Sequence, residues 1–131
     1  MSKQTLHVVL GITGGIAAYK SLSLIRLLSQ RGAAVKVVAT PNALQFVTEL
    51  SLQTLSQNKV YTDPFKKLEH FDIEHISLAE WADVLIVAPA TANILAKFAN
   101  GIADDALSTL FLATTAPIFL APAMNKNMLS H

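Results

Sequence analysis

The chain has 131 residues, no cysteine, a formal net charge of +1 and 15% charged residues, against about 25% in an average soluble domain. Its length suits one domain, and the missing thiols exclude disulfides, a thiolate nucleophile and thiolate metal ligands from this segment. Ten scattered Lys and Arg residues argue against a nucleic-acid surface, and so small a charged fraction leads us to expect self-association.

Leu6 to Leu10 reads as a buried strand, and Gly15 to Gln30 follows with Ile16, Tyr19, Leu22, Ile25, Leu27 and Leu28 near helical spacing. Between them Gly11-Ile12-Thr13-Gly14-Gly15 has the layout of a strand-to-helix junction that binds anions. Two readings stand there: a phosphate cradle, in which the glycines admit a ligand to the backbone and Thr13 adds a hydroxyl, or simple turn chemistry. Arg31-Gly32 ends the helix, and Ala34 to Thr40 is a second strand, so strand, helix and strand fit a right-handed crossover. Thr40-Pro41-Asn42 opens a short helical stretch, and Thr48 to Leu55 forms another. The polar span Ser56 to Glu74 is expected to be a mobile surface excursion.

The alternation then repeats: Ala82 to Ala88 a strand, Thr91 to Phe98 and Asp104 to Ala113 helices, Ala116 to Ala121 a strand. The expected fold is α/β, a doubly wound, Rossmann-like parallel sheet in a single domain over residues 1–131. The carboxyl ends of its strands carry Gly11 to Gly15, Thr40 to Asn42, Pro89 to Asn93 and Pro122 to Asn125, and such sheets bind ligands at that rim. The chain stops at Asn127 to His131, where a further helix would begin, so a C-terminal truncation is expected. The apolar runs fall far short of the roughly 20 residues of a membrane-spanning helix, and MSKQTLHVVL carries no secretory pattern. A cytoplasmic location is expected. His7, His70, His75 and His131 lack compact ligand spacing, so no metal site is expected.

A dinucleotide-binding unit carries an acidic residue at the end of its second strand to hold the ribose, and here that place is Thr40. A mononucleotide fits better than NAD. Asp104-Asp105 has the look of a carboxylate pair, but adjacent helical residues point apart, and acids at a helix N-terminus serve its dipole.

GGIAAYK at 14–20, HISLAEWAD at 75–83, APATAN at 88–93 and PAMNKNM at 122–128 occur together in this order. The set closely resembles the flavoprotein domain of the phosphopantothenoylcysteine decarboxylases, usually the N-terminal half of a bifunctional coenzyme A biosynthesis protein. The resemblance implies FMN as cofactor and decarboxylation of 4'-phosphopantothenoylcysteine to 4'-phosphopantetheine. The steps are oxidation of the thiol-bearing carbon, loss of CO2 and re-reduction of the enethiol. By the same resemblance Gly11, Thr13, Gly14, Gly15 and Thr40 hold the phosphate region. Pro89, Ala90, Thr91 and Asn93 form a second flavin-binding loop, and His75 and Asn125 are the catalytic pair. Read without it, Thr40 and Thr91 are helix caps, His75 is a surface histidine just before a helix over Ser77 to Trp81, and Asn125 is a turn residue. Trp81 is expected to pack, Asp83 to cap or pair and Lys20 to be solvated.

The family's flavin lies between subunits of a trimer, so a homo-oligomer, trimer or dodecamer, is implied, together with a fused phosphopantothenate–cysteine ligase domain downstream. The family's substrate clamp, with its cysteine, lies beyond PAMNxxM, so this polypeptide is expected to bind FMN without completing turnover. Peptide cysteine decarboxylases and flavin prenyltransferases share the fold, and a non-catalytic flavin-binding regulatory module is the reading from another class.

Overall fold

The computed structural model describes residues 4–62 and 68–131, with the side chains of 68–74 outside that description. Four strands form one parallel sheet: β1 (His7–Ile12), β2 (Ala34–Ala39), β3 (Val84–Ala90) and β4 (Ile118–Pro122), in the order β2-β1-β3-β4. Around it lie α1 (Ala18–Gln30), α2 (Glu49–Ser56), α3 (Leu68–Trp81), α4 (Ala92–Asn100), α5 (Ala106–Ala113) and α6 (Lys126–Ser130). This is the expected α/β, Rossmann-like arrangement.

Helices cover both faces because the strands alternate two apolar sets. Val8, Leu10 and Ile12 of β1, with Val35 and Val37 of β2, pack against Ile25 of α1 and Leu52 of α2. Val9, Val38, Leu85 and Val87 face the other way, toward Leu78 of α3, Ile94 of α4 and Leu107 and Leu110 of α5. Register is continuous from His7↔Ala34 to Ile12↔Ala39 on one side of β1 and from Val8↔Val84 to Gly11↔Val87 on the other. Strand β4 lies at the edge, and all five of its residues are exposed.

Helix ends follow the local chemistry. Gly32 takes φ 88° after α1, and Gly101 takes φ 68° after α4, a conformation open to glycine at little cost. Thr48, Thr91, Asp105 and Asn125 cap α2, α4, α5 and α6 through their side-chain oxygens.

Three expectations need correction. Strands β1 and β3 each run two residues further than their patterns suggest, so Gly11, Pro89 and Ala90 are strand residues and not loop residues. Pairing with a neighbour on each edge carries both strands past the point where their apolar runs break. The span after α2 is also not a free excursion. Tyr61 donates to Val37 O and its own carbonyl accepts from Ala39 N, both at 2.9 Å. The Asn58 side chain donates to Val35 O at 2.8 Å. The outer edge of β2 thus finds its hydrogen-bond partners there. Residues 63–67 lie outside the described residues, and α3 begins at Leu68, so His75 lies within a helix. No Gly or Pro interrupts Leu68–Trp81, and its last turns are anchored by buried Leu78 and Ala79.

At the base of the sheet, Asp83 accepts from His7 N at 2.8 Å. The Trp81 ring stacks on His7 at 4.3 Å, with the Lys36 ammonium 4.4 Å from its centroid. Trp81 packs and Asp83 pairs, as expected.

Gly11 serves packing: a Cβ built there lies 2.6 Å from Leu107 Cδ1, and Leu107 is fully buried. Gly11→Ala is expected to destabilise the fold by about 1–3 kcal/mol through overpacking. A lowered urea midpoint with an unchanged slope is the measurement that checks it.

Candidate functional site

The loops after β1, β2, β3 and β4 meet around one cavity of about 1010 Å³. Parallel strands finish at the same end of the sheet, and the chain order reverses between β1 and β3, so a crevice opens there. Its wall includes Thr13 to Ala17, Thr40 to Asn42, Thr91 to Ile94, Lys97, Asp104, Asp105 and residues from Ala123 to Met128.

Side-chain hydroxyls do little at this wall except hold backbone. Thr13 Oγ1 donates to Pro89 O at 2.5 Å and accepts from Thr91 N at 3.1 Å. Thr40 Oγ1 accepts from Ala43 N at 3.2 Å, and Thr91 Oγ1 from Ile94 N at 3.2 Å. Asn125 Oδ1 accepts from Met128 N at 2.9 Å, which leaves its amide NH2 for other partners.

Backbone amides are the available donors. Gly15 N is bonded to Thr13 O and Ala18 N to Gly15 O, whereas the amides of Gly14, Ile16 and Ala17 have no acceptor among the described residues. Those of Ala92 and Asn93 open α4 and are orphaned by helix geometry. Two sets of N–H groups therefore border one cavity, an arrangement that binds anions. Gly14 makes the approach of the first two loops possible: a Cβ there lies 2.4 Å from Asn42 Cβ and 2.9 Å from its carbonyl carbon. At Gly15 the nearest atom is Thr91 Cγ2 at 3.5 Å, an ordinary contact.

One wall is charged. Lys97 Nζ lies 2.8 Å from Asp104 Oδ1 and 3.3 Å from Asp105 Oδ2. Asp105 also receives Ser108 N and Ser108 Oγ on Oδ1, both at 2.7 Å, as it caps α5. The hydrogen bond from Lys97 holds the exposed Asp104 carboxyl below its ordinary range, and the bond to Asp104 holds the Lys97 ammonium above its own. No group of three or more His, Cys, Asp and Glu among the described residues could hold a metal ion.

Of the residues singled out in the sequence, Thr13, Gly14, Gly15, Thr40, Thr91, Asn93 and Asn125 line the cavity. Gly11 does not, because it lies inside β1 under Leu107. Pro89 and Ala90 stand behind the wall, Pro89 touching it through the carbonyl bonded to Thr13. His75, half-buried on α3, is outside the wall. Asn42 and Met124 fall in the rim segments named from the sequence, whereas Ile16, Ala17, Lys97 and Met128 are not among its candidate site residues. Helical spacing signals Lys97, which falls three residues after Ile94 on the same face of α4.

Fold and rim together define a nucleotide-type anion site on a doubly covered parallel sheet. The Flavoprotein family model matches residues 1–131, and the chain belongs to that family. Coenzyme A biosynthesis bifunctional proteins CoaBC are similar: that of Bacillus subtilis is 54% identical over 125 residues, 95% of this chain and 31% of the relative. The Escherichia coli K12 protein is 46% identical over 128 residues, 98% of this chain and 32% of the relative. The chain thus spans about a third of the length of these relatives. Among solved structures, the FMN-dependent cysteine decarboxylase TvaF from thioviridamide biosynthesis superposes with a TM-score of 0.90 at 33% identity, covering 97% of this chain and 78% of that one. The C175S mutant of PPC decarboxylase complexed with pantothenoylaminoethenethiol gives 0.82 at 32% identity, covering 98% and 72%.

The charged wall predicts a pH signature. Asp104's lowered pKa makes its stabilising contribution present at neutral pH and lost as pH falls through that lowered value. Lys97's raised pKa makes its contribution persist below the ordinary lysine range and vanish as pH rises through the raised value. In Lys97→Gln the Asp104 carboxyl midpoint, followed by NMR, is expected to rise to the ordinary range. The stability gap to wild type is expected to close at both pH extremes.

Proposed function

We propose that this chain holds FMN in the rim cavity and carries the oxidation and CO2-loss steps in the decarboxylation of 4'-phosphopantothenoylcysteine in coenzyme A synthesis, the re-reduction of the enethiol needing the clamp that follows these motifs in the family. The observation that carries the reading is the pair of amide sets, Gly14, Ile16 and Ala17 on one side and Ala92 and Asn93 on the other, bordering one cavity with no acceptor among the described residues. These residues fit the mononucleotide: the first set of N–H groups suits its phosphate and the second the polar edge of its ring, and Ile16, Met124 and Met128 suit a flat apolar ring. The missing acid at Thr40 disfavours a dinucleotide. Identity supports the coenzyme A branch, at 54% to a CoaBC protein against 33% to the cysteine decarboxylase TvaF.

When bound, FMN supplies a reversible two-electron acceptor for the thiol-bearing carbon of the substrate. The protein binds and orients. The amides of Gly14, Ile16 and Ala17 fix the phosphate end, Gly15 and Thr40 shape the turns around it, and Pro89 and Ala90 form the strand end that carries the second loop, Thr91 and Asn93, against the ring end. The free NH2 of Asn125 orients the substrate carboxylate, and His75 takes the thiol proton on its imidazole. Because His75 stands outside this cavity's wall, it meets substrate at the contact between two copies, in a homo-oligomer built on trimers. The exposure of Ile16 (77%) and Met128 (50%) beside the cavity supports such a contact. A downstream ligase domain and a cytoplasmic location complete the proposal. No helix among the described residues is long and apolar enough to cross a membrane.

Purified protein is expected to be yellow, to release FMN and not FAD on denaturation, and to release CO2 from 4'-phosphopantothenoylcysteine but not from a peptide ending in cysteine. Colourless protein that takes up no added FMN rejects the reading. Gly14→Ala is expected to lower FMN affinity about tenfold or more by forcing Asn42 away, whereas Gly15→Ala keeps the loops in place. Flavin fluorescence titration separates the two. His75→Asn is expected to abolish CO2 release while flavin content stays unchanged. Light scattering on a sizing column is expected to give a multiple of three chains.

A further inference from the structure

We propose that Thr13 is a positioning residue: its hydroxyl ties the first rim loop to the end of β3 and so sets the affinity for the whole flavin, without itself bonding the phosphate. The inference rests on the FMN reading above.

Thr13 lines the cavity yet is 2% exposed. Its hydroxyl has one proton, which goes to Pro89 O at 2.5 Å. A phosphate at neutral pH presents acceptors, and Thr13 Oγ1 has no second donor to offer it. One of the oxygen's two lone pairs accepts from Thr91 N at 3.1 Å. These bonds join positions 76 and 78 residues apart in the chain.

Their placement gives them leverage. Thr91 is the N-cap of α4, so Thr13 grips the residue whose successors, Ala92 and Asn93, present one amide set. Thr13 O accepts from Gly15 N at 3.0 Å, so the same residue also shapes the turn that presents the other set. With the hydroxyl gone, Pro89 O and Thr91 N lose their partner in a nearly dry place, and the loops separate or admit water. Both ends of the flavin then lose their register.

The test compares FMN with riboflavin, which lacks the phosphate, on flavin-free protein by fluorescence titration. Thr13→Val is expected to weaken both, riboflavin by about tenfold and FMN by at least as much. Thr13→Ser, which restores the hydroxyl, is expected to bind both as wild type does. Urea midpoints of the flavin-free variants are measured alongside, and Thr13→Ala serves for the same comparison if the valine variant does not fold. Loss confined to FMN makes Thr13 a phosphate ligand and overturns the proposal, as does unchanged affinity for both flavins. Wild-type protein that binds neither flavin overturns the FMN reading itself, and the proposal with it.

Discussion

Strand β1 is hydrogen-bonded along both edges and almost fully buried on both faces, and the rim follows from that constraint. With β2 parallel on one side and β3 parallel on the other, the loops leaving all three strands must emerge together. A strand so enclosed has no room for error in side-chain size. Gly11 yields the space that Leu107 fills, which draws α5 onto the sheet and brings its cap, Asp105, to the cavity wall. Packing inside the layer and the composition of the site are therefore one problem with one solution.

The use of polar groups at the rim explains how the site is held. Threonine hydroxyls and the Asn125 carbonyl oxygen satisfy nearby backbone, so the loops are fixed before any ligand arrives. Among the described residues, unpartnered donors are left on the main chain, at turns and at the start of α4, where they border the cavity. Such preorganisation lowers the ordering cost of binding. It also separates two kinds of residue that look alike in a sequence: those that contact a ligand and those that hold the contacts in place. Lys97 belongs with the second kind, since its ammonium spans the α4–α5 turn to reach Asp104 and Asp105.

Much of the fold was legible because apolar periodicity and helix stops are local. The runs at β1 to β4, the Gly32 stop, the start of α2 at Thr48 and the Thr91 cap all stood near their final places. Less legible were the features that depend on a distant partner. Strand ends at Ile12 and Ala90 are set by neighbours, and Tyr61 is pinned by the edge of β2. The start of α3 is fixed by a helix that docks at its other end. At the site, Thr40 had two readings in the sequence, and its bond to Ala43 N shows the cap while its place in the wall keeps a ligand contact open.

The sequence by itself determined the class of fold, the rim where the strand-end loops converge and the family motifs, since each depends on residue types at short spacing. Tertiary structure alone decided which of those residues reach the cavity: Gly11 is turned to packing, Thr13 to holding β3, and Gly14 to admitting Asn42. The reason is physical, because a hydroxyl or a missing Cβ acquires its role from the atom that faces it. Here those atoms come from β3, α5 and the second loop, as many as 96 positions away along the chain for the Gly11–Leu107 contact.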